Sequence, residues 1–374
     1  MTASTASAET SVGRSVAELE TPALTIDLDR LEANIARAAA YAADHGLGLY
    51  PHAKTHKTVE IAALQRRAGA LGVTVAKSRE AELYAEAGLG PIVAHYPPVG
   101  RHKVERLVRV AAMTPLTVAV DSIDAAGPLA SDLRRAGLEA EALIELDVGL
   151  GRTGLAPPGA VKLARRIERL EGGLRVTGLS CYPGHLRGPR DEVAAGVEPV
   201  SALLRDAIER FDAAGIRRGR ISGGSTATLF LSHLMPVTEL RPGNYALLDR
   251  AEAVEPFSLA DCALTVQATV VSRSVPGRAV LDCGSKTLSE APAPPGRTGY
   301  GAVPAHPALE IEALNEEHAI CRVDDGLAGP EVGELVEVIP NHACTCVNLH
   351  ETISAVRGGI VEARMRVVAR GAVR

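Results

Sequence analysis

The sequence predicts a (β/α)8 barrel followed by a smaller, mostly antiparallel β domain. Three observations lead there. Short β-rich apolar runs alternate eight times with amphipathic helical stretches. Each run is short and bounded by Gly, Pro or polar residues. From about Ala251 long helical periodicity disappears, and strand-like runs follow one another with turns between them.

The eight runs are Leu47–Tyr50, Val73–Ala76, Ile92–His95, Leu116–Val120, Ala142–Leu146, Val176–Cys181, Arg220–Ser222 and Tyr245–Leu248. Helical patterns lie between them at Asp29–Asp44, Ser78–Ala87, Lys103–Ala112, Ile123–Ala136, Gly159–Leu170 and Glu198–Ala214. Asp29 with Glu32 three positions later reads as a capped helix start. The barrel is thus expected over residues 25–250. The β domain is expected over residues 251–374, with strands at Leu264–Val271, Gly277–Leu281, Ala319–Val323, Leu335–Ile339 and Gly359–Val368. Thr25-Ile26-Asp27, within residues 21–27, could add a strand to it. The alternative is a doubly wound open sheet, but G-x-G-x-x-G is missing after the first strand; Gly149–Gly154 has that spacing after the fifth.

Composition excludes several classes. The net charge of -5 projects no strong field toward nucleic acid or an anionic membrane. Aromatics make up 3% and Trp is absent, which argues against base-stacking platforms. No apolar run is long enough to span a bilayer. Met1–Glu20 lacks the apolar core of a signal peptide and reads as a partly disordered lead-in. The six Cys are scattered, so reduced thiols in a cytoplasmic protein are expected.

Barrel enzymes carry chemistry on the loops after the strands. The first strand ends at Pro51-His52-Ala53-Lys54-Thr55-His56-Lys57. Lys54, between small or rigid neighbours, is either a solvated loop lysine or an amine that desolvation makes nucleophilic. The seventh strand ends at Gly223-Gly224-Ser225-Thr226, and Arg241-Pro242-Gly243-Asn244-Tyr245 is read as leading into the eighth. Glycines beside hydroxyl and N–H donors suit a phosphate, and strands seven and eight are where barrels often bind one. Two ordinary glycine turns are the plainer reading. In the β domain, His342 and Cys344 are two apart in an expected strand, so both would face one way, with Cys346 if the strand continues. Imidazole plus thiolate suits Zn2+, and two ligands leave an ion open for chemistry. A structural Cys beside a surface His is the competing reading.

Together these segments resemble the fold type III pyridoxal-phosphate (PLP) enzymes of the alanine-racemase-like family, in the D-threonine aldolase and D-serine dehydratase branch. The likeness is carried in order by Thr21-Pro22-Ala23-Leu24, the Pro51–Lys57 segment, Gly223–Thr226, Arg241–Tyr245, Asp282-Cys283-Gly284-Ser285-Lys286 and Pro340-Asn341-His342-Ala343-Cys344. It implies PLP held covalently by Lys54. It implies Gly224, Ser225, Thr226, Gly243, Asn244 and Tyr245 around the phosphate, Tyr182 and Arg152 near the pyridine ring, and a divalent metal at His342 and Cys344.

The implied substrate is a β-hydroxy D-amino acid. His-x-Cys resembles the zinc dehydratase arrangement, which yields a keto acid and ammonia. In the family this chain resembles, aldolases more often show His-x-Asp with a harder ion such as Mn2+ or Mg2+, and they yield glycine and an aldehyde. Thr345-Cys346 departs from the Pro-containing continuation expected there. An amino-acid racemase is a further alternative, with Tyr300 as the candidate second base; a PLP carrier protein is another. The resemblance also implies a homodimer whose partner closes the barrel mouth.

Overall fold

The computed structural model describes residues 11–323 and 329–374. The chain divides into two compact units. One comprises Met1–Ile35, Thr55–Thr58 and Asn244–Arg370; the other comprises Ala36–Lys54, Val59–Gly243 and Gly371–Arg374. The first ten residues of the expected disordered lead-in lie outside the described residues. The remainder is ordered: Ser15 closes a capping box on a 3-10 turn, Val16–Glu18, and the Gly13 N–H donates to the Val361 carbonyl at 2.8 Å.

Strand β1 (Ala23–Asp27) leads into helix α1 (Leu28–Asp44). The cap is Asp27, whose Oδ1 accepts from the Arg30 N–H at 2.9 Å, not Asp29 as the spacing suggested. Three of the five β1 residues are fully buried.

The barrel unit then runs β2 (Gly48–Leu49), α2 (Val59–Arg67), β3 (Val73–Val75), α3 (Ser78–Glu86), β4 (Ile92–Ala94), α4 (Arg101–Met113), β5 (Leu116–Val120), α5 (Ile123–Arg135), β6 (Ala140–Leu146), α6 (Pro157–Glu168), β7 (Leu174–Cys181), α7 (Arg190–Ala213), β8 (Arg220–Gly223) and β9 (Glu239–Leu240). All eight strands are parallel, in the order β2-β9-β8-β7-β6-β5-β4-β3. The path closes because the chain beyond β2 pairs with β3. The Ala53 N–H donates to the Thr74 carbonyl and the Thr74 N–H to the Pro51 carbonyl, both at 2.8 Å. Strands buried on both faces read as continuous apolar runs, as β5 does. Helix starts are marked locally: the Ser122 hydroxyl accepts from the Ala125 N–H at α5, and Pro157 opens α6. Among the described residues no helix is long and apolar enough to cross a membrane.

The eighth strand is not where the sequence pattern placed it. Tyr245–Leu248 is apolar and fully buried, but Asn244–Ala246 is a 3-10 turn and Leu248 sits at φ 56°. A buried turn is as apolar as a buried strand, so composition does not separate them. The true strand is two residues long, and Arg241-Pro242-Gly243 therefore follows it instead of preceding it.

The strand beginnings are pinned by charge. Arg220 opens β8 and makes two hydrogen bonds to Glu239, at 2.9 and 3.0 Å. It also reaches Glu141 and Thr117, each at 2.7 Å. The first positions of β8 and β9 and the second positions of β5 and β6 are thus tied through one guanidinium.

The other unit continues with β10 (Leu264–Ser272), β11 (Arg278–Leu281), α8 (Ser285–Leu288), β12 (Gly301–Ala302), β13 (Leu309–Leu314), β14 (Ala319–Val323), β15 (Leu335–Pro340), α9 (Ala343–Val347), β16 (Thr352–Arg357) and β17 (Ile360–Arg366). Its main path is β13-β14-β11-β10-β1-β16-β17, with β15 also pairing β10 and β12. All its pairings are antiparallel except β1 with β16. The N-terminal strand does join this sheet, as expected.

Removing the Arg220 guanidinium would leave Glu239, 4% exposed, without its counter-charge. Arg220→Ala is expected to cost about 3 kcal/mol, whereas Arg220→Met with Glu239→Leu should recover most of that. Thermal and urea unfolding of both variants checks this; equal losses would remove the ion pair as the cause.

Candidate active site

In the barrel unit, Lys54 lies just past the point where the sheet closes. Its backbone is held by its neighbours: the His52 N–H donates to the Pro242 carbonyl at 2.9 Å, and the Lys54 N–H approaches His52 Nδ1 at 3.4 Å. Its amine is not held. Among the described residues, Lys54 Nζ has no hydrogen-bond acceptor or ion pair; it sits 5.5 Å from the centre of the Tyr182 ring. Two other lysines of the chain differ. Lys57 Nζ donates to Asn348 Oδ1 at 2.8 Å and to the Ala369 carbonyl at 3.2 Å, and Lys286 pairs with Glu317 at 2.7 Å. Lys54 Nζ thus differs from both in having no hydrogen-bond acceptor or ion pair among the described residues.

Tyr182 follows β7 directly, and Arg152 lies over the same ring, 4.9 Å from its centre. The structure thus brings Lys54, Tyr182 and Arg152 together. Gly184 makes the ring position achievable, because a Cβ there would collide with Tyr182.

The Gly223–Thr226 turn ends β8. Gly224 adopts φ 84°, a conformation that favours glycine. The space behind both glycines is filled: a Cβ on Gly223 would lie 3.0 Å from Val237 Cγ1, and one on Gly224 3.2 Å from Ser232 Oγ. Close packing therefore accounts for the glycines. The turn is locked by the Ser225 N–H donating to Thr228 Oγ1 at 2.9 Å and the Thr228 N–H to Ser225 Oγ at 3.2 Å. The following element is a 3-10 helix, Leu229–Leu234, so no long helix dipole aids an anion here. The hydroxyls of Ser225 and Thr226 on a rigid turn at a strand end remain a donor set that fits a phosphate. Gly243 follows β9, the next strand of the barrel.

Arg241 also joins a charged cluster near these strand ends that the sequence pattern does not announce. Arg241, buried, donates to the Cys181 carbonyl at 2.8 Å and to the Ser222 hydroxyl, and its Nη2 lies 2.8 Å from His95 Nε2. His95 Nε2 is also 2.9 Å from Glu145 Oε2, and the Ser180 hydroxyl donates to the same carboxylate oxygen. A neutral ring nitrogen cannot serve both neighbours: it either donates to Glu145 or accepts from Arg241. Burial, followed by the Arg241 charge, holds the His95 imidazole below its ordinary value. For Glu145 burial works the other way, but His95, Arg241 and Ser180 together outweigh it and hold the carboxyl below its usual range.

In the other unit, His342 and Cys344 do come together, though not on a strand. β15 ends at Pro340; His342 is the N-cap of α9 and Cys344 lies in its first turn. Cys346, expected on the same face, instead packs in the interior with its thiol directed to the Thr287 carbonyl at 3.2 Å. The His342 ring hydrogen-bonds to Cys344 and places Nδ1 3.1 Å from Asp249 Oδ2. These bonds push the imidazole up to about 10, the Asp249 contact being the larger cause. Thr55 Oγ1 lies 3.2 Å from Cys344 Sγ. Asn244, expected near the phosphate, donates through Nδ2 to Asp249 Oδ2 at 2.6 Å. Tyr245 is buried beside it in the 3-10 turn. Among the described residues no third His, Cys, Asp or Glu completes a metal group. An imidazole and a thiol in hydrogen-bond contact, the ring backed by a carboxylate, nonetheless form a donor pair suited to a soft divalent ion with open positions.

Comparison with known proteins matches residues 26–250 to the "Alanine racemase, N-terminal domain" family and residues 263–356 to a serine dehydratase domain family. A D-threonine aldolase from Arthrobacter sp is 32% identical over 366 residues, 96% of this chain and 95% of that protein. The crystal structure of D-threonine aldolase from Filomicrobium marinum superposes with a TM-score of 0.90 at 31% identity, covering 97% of this chain and 99% of that one. Two variants of D-threo-3-hydroxyaspartate dehydratase, both 30% identical, superpose at 0.86 and 0.84. The first covers 95% of this chain and 96% of its own, the second 94% and 98%. One has a His replaced by Ala; the other has a Cys two positions further on replaced by Ala and is described as in the metal-free form.

The depressed Glu145 carboxyl has a consequence for acid stability. Its stabilisation is present above the unfolded value, near ~4.3, and is lost as pH falls through the lower folded value. Wild-type protein is therefore expected to lose stability below about pH 4 more steeply than Glu145→Gln. Melting temperatures measured between pH 3 and pH 7 check this; parallel curves would assign the acid loss to other groups.

Proposed function

The chain belongs to the alanine-racemase-like family of fold type III PLP enzymes, and we propose that within it this protein is a lyase that dehydrates β-hydroxy D-amino acids. The observation that carries this reading is the His342-x-Cys344 pair. The dehydratase whose His and Cys variants were solved has the same two residue types at the same separation. A thiolate favours Zn2+ over the harder ions.

The roles follow from residue chemistry. Lys54 would hold PLP through its unpartnered amine, and Ser225 and Thr226 with Gly224, Gly243, Asn244 and Tyr245 would bind the phosphate. Arg152 and Tyr182 would flank the pyridine ring. Bound PLP supplies an electron sink for the pair left when a Cα–H bond breaks. The Lys54 amine, once displaced, is the base that takes that Cα proton. His342 and Cys344 would hold a divalent cation, which supplies Lewis acidity to a substrate hydroxyl. The Cβ–O bond breaks as water leaves, and the enamine product tautomerises and hydrolyses to a keto acid and ammonia.

Retro-aldol cleavage is the second reading, favoured by the likeness to D-threonine aldolase over 96% of the chain. It would break Cα–Cβ after loss of the hydroxyl proton and release glycine and an aldehyde. A homodimer is proposed for either activity; light scattering that finds an active monomer would count against it.

Product analysis separates the two reactions. With D-serine and D-threonine, pyruvate and 2-oxobutyrate are expected; glycine plus aldehyde would replace dehydration with aldol cleavage. Borohydride reduction and peptide mapping should place the pyridoxyl group on Lys54, and a label on Lys57 or Lys286 would overturn that role. Chelation is expected to abolish turnover while PLP absorbance and melting temperature change little. Full activity in a preparation shown by elemental analysis to be metal-free would end the metal reading.

A further inference from the structure

One carboxylate has no role in the reaction above. Asp249 is fully buried, 0% exposed. Its Oδ1 accepts from the N–H groups of Ala251 and Glu252, both at 3.0 Å. Its Oδ2 accepts from the Ala343 N–H at 2.7 Å and from Asn244 Nδ2 at 2.6 Å, and His342 Nδ1 lies 3.1 Å away. The first pair fixes the carboxylate against its own turn, so Oδ2 cannot swing away. The second pair consists of donors, so Oδ2 is an acceptor toward everything around it.

That decides which nitrogen of His342 keeps its proton when a cation takes the other. Facing an acceptor, Nδ1 must donate. A neutral imidazole with its proton on Nδ1 keeps its lone pair on Nε2, and only Nε2 can then bind a cation. The same oxygen also holds the Ala343 N–H, the peptide that follows His342. Ring and backbone of the histidine are thus referred to one atom.

We propose that Asp249 is the positioning residue of the metal site: it selects the Nδ1–H tautomer of His342 and directs Nε2 to the cation. The assignment rests on the metal reading of His342 and Cys344. Partners of this kind around a metal ligand typically change metal affinity by about 10–100-fold when lost.

The test uses the PLP-loaded wild-type protein with Zn2+ added and its histidines labelled with 15N, His342 being identified by its missing signals in His342→Gln. Nδ1 protonated and Nε2 shifted by Zn2+ is the expected spectrum; Zn2+ on Nδ1 would overturn the proposal. Asp249→Asn is then titrated with Zn2+ against a chromophoric chelator. A fold with unchanged PLP absorbance but about 10–100-fold weaker Zn2+ binding supports the assignment. Unchanged Zn2+ affinity in the folded variant overturns it. If Asp249→Asn does not fold, the wild-type spectrum decides alone. A wild-type protein that takes up no Zn2+ overturns the metal reading itself, and so differs from a protein that binds Zn2+ without regard to Asp249.

Discussion

A charge withdrawn from water must be met by partners, and this constraint fixes where the key segments of both units lie. In the barrel, Arg220 meets Glu239, Glu141 and Thr117 where strands begin. Arg241, Glu145 and His95 meet where strands end. An unpaired ion inside a barrel would cost several kcal/mol, so each cluster ties its strands to one register. In the other unit Asp249 does the same for a turn, a helix start and a histidine with one carboxylate.

Against that background the free amine of Lys54 stands out. A lysine meant only to hold structure finds an acceptor, as Lys57 and Lys286 do. Lys54 has its backbone fixed and its amine left beside an aromatic face. Rigid placement with an uncommitted nitrogen is what covalent capture of a carbonyl requires, since an amine already in an ion pair must first break it.

Much of this was legible in the sequence. Seven of the eight barrel runs fell on true strands because strands buried on both faces are apolar and bounded by turn residues, as Leu116–Val120 shows. The eighth failed at Tyr245–Leu248, since burial and not strand geometry sets apolar composition. Helix α2 went unseen: Val59–Arg67 is short and directly follows the Lys54 loop, with no separate start signal between them. Strands β13 and β16 carry signals that went unread: Leu309-Glu310-Ile311-Glu312 alternates apolar with polar, and Gly358-Gly359 follows Thr352–Arg357. Of the site, the motif residues were visible because their types announce chemistry. Asp249, His95 and Glu145 were not, because a lone Asp, His or Glu carries no sign of what it will touch.

His342 and Cys344 meet, but through a local geometry other than the expected strand. Strand alternation would put residues two apart on one face. Here His342 is extended at a helix cap, φ -144° and ψ 114°, and Cys344 lies in the first helical turn. The bend of the cap, not a pleat, turns the thiol back to the ring. A strand would also have brought Cys346 round as a third thiolate, and three protein ligands would leave an ion little room for substrate. By sending Cys346 into the interior, α9 limits the set to one imidazole and one thiolate. On the proposed metal reading, that restriction would leave an ion room to accept a substrate oxygen and release it as water, which is how the helix would serve a lyase.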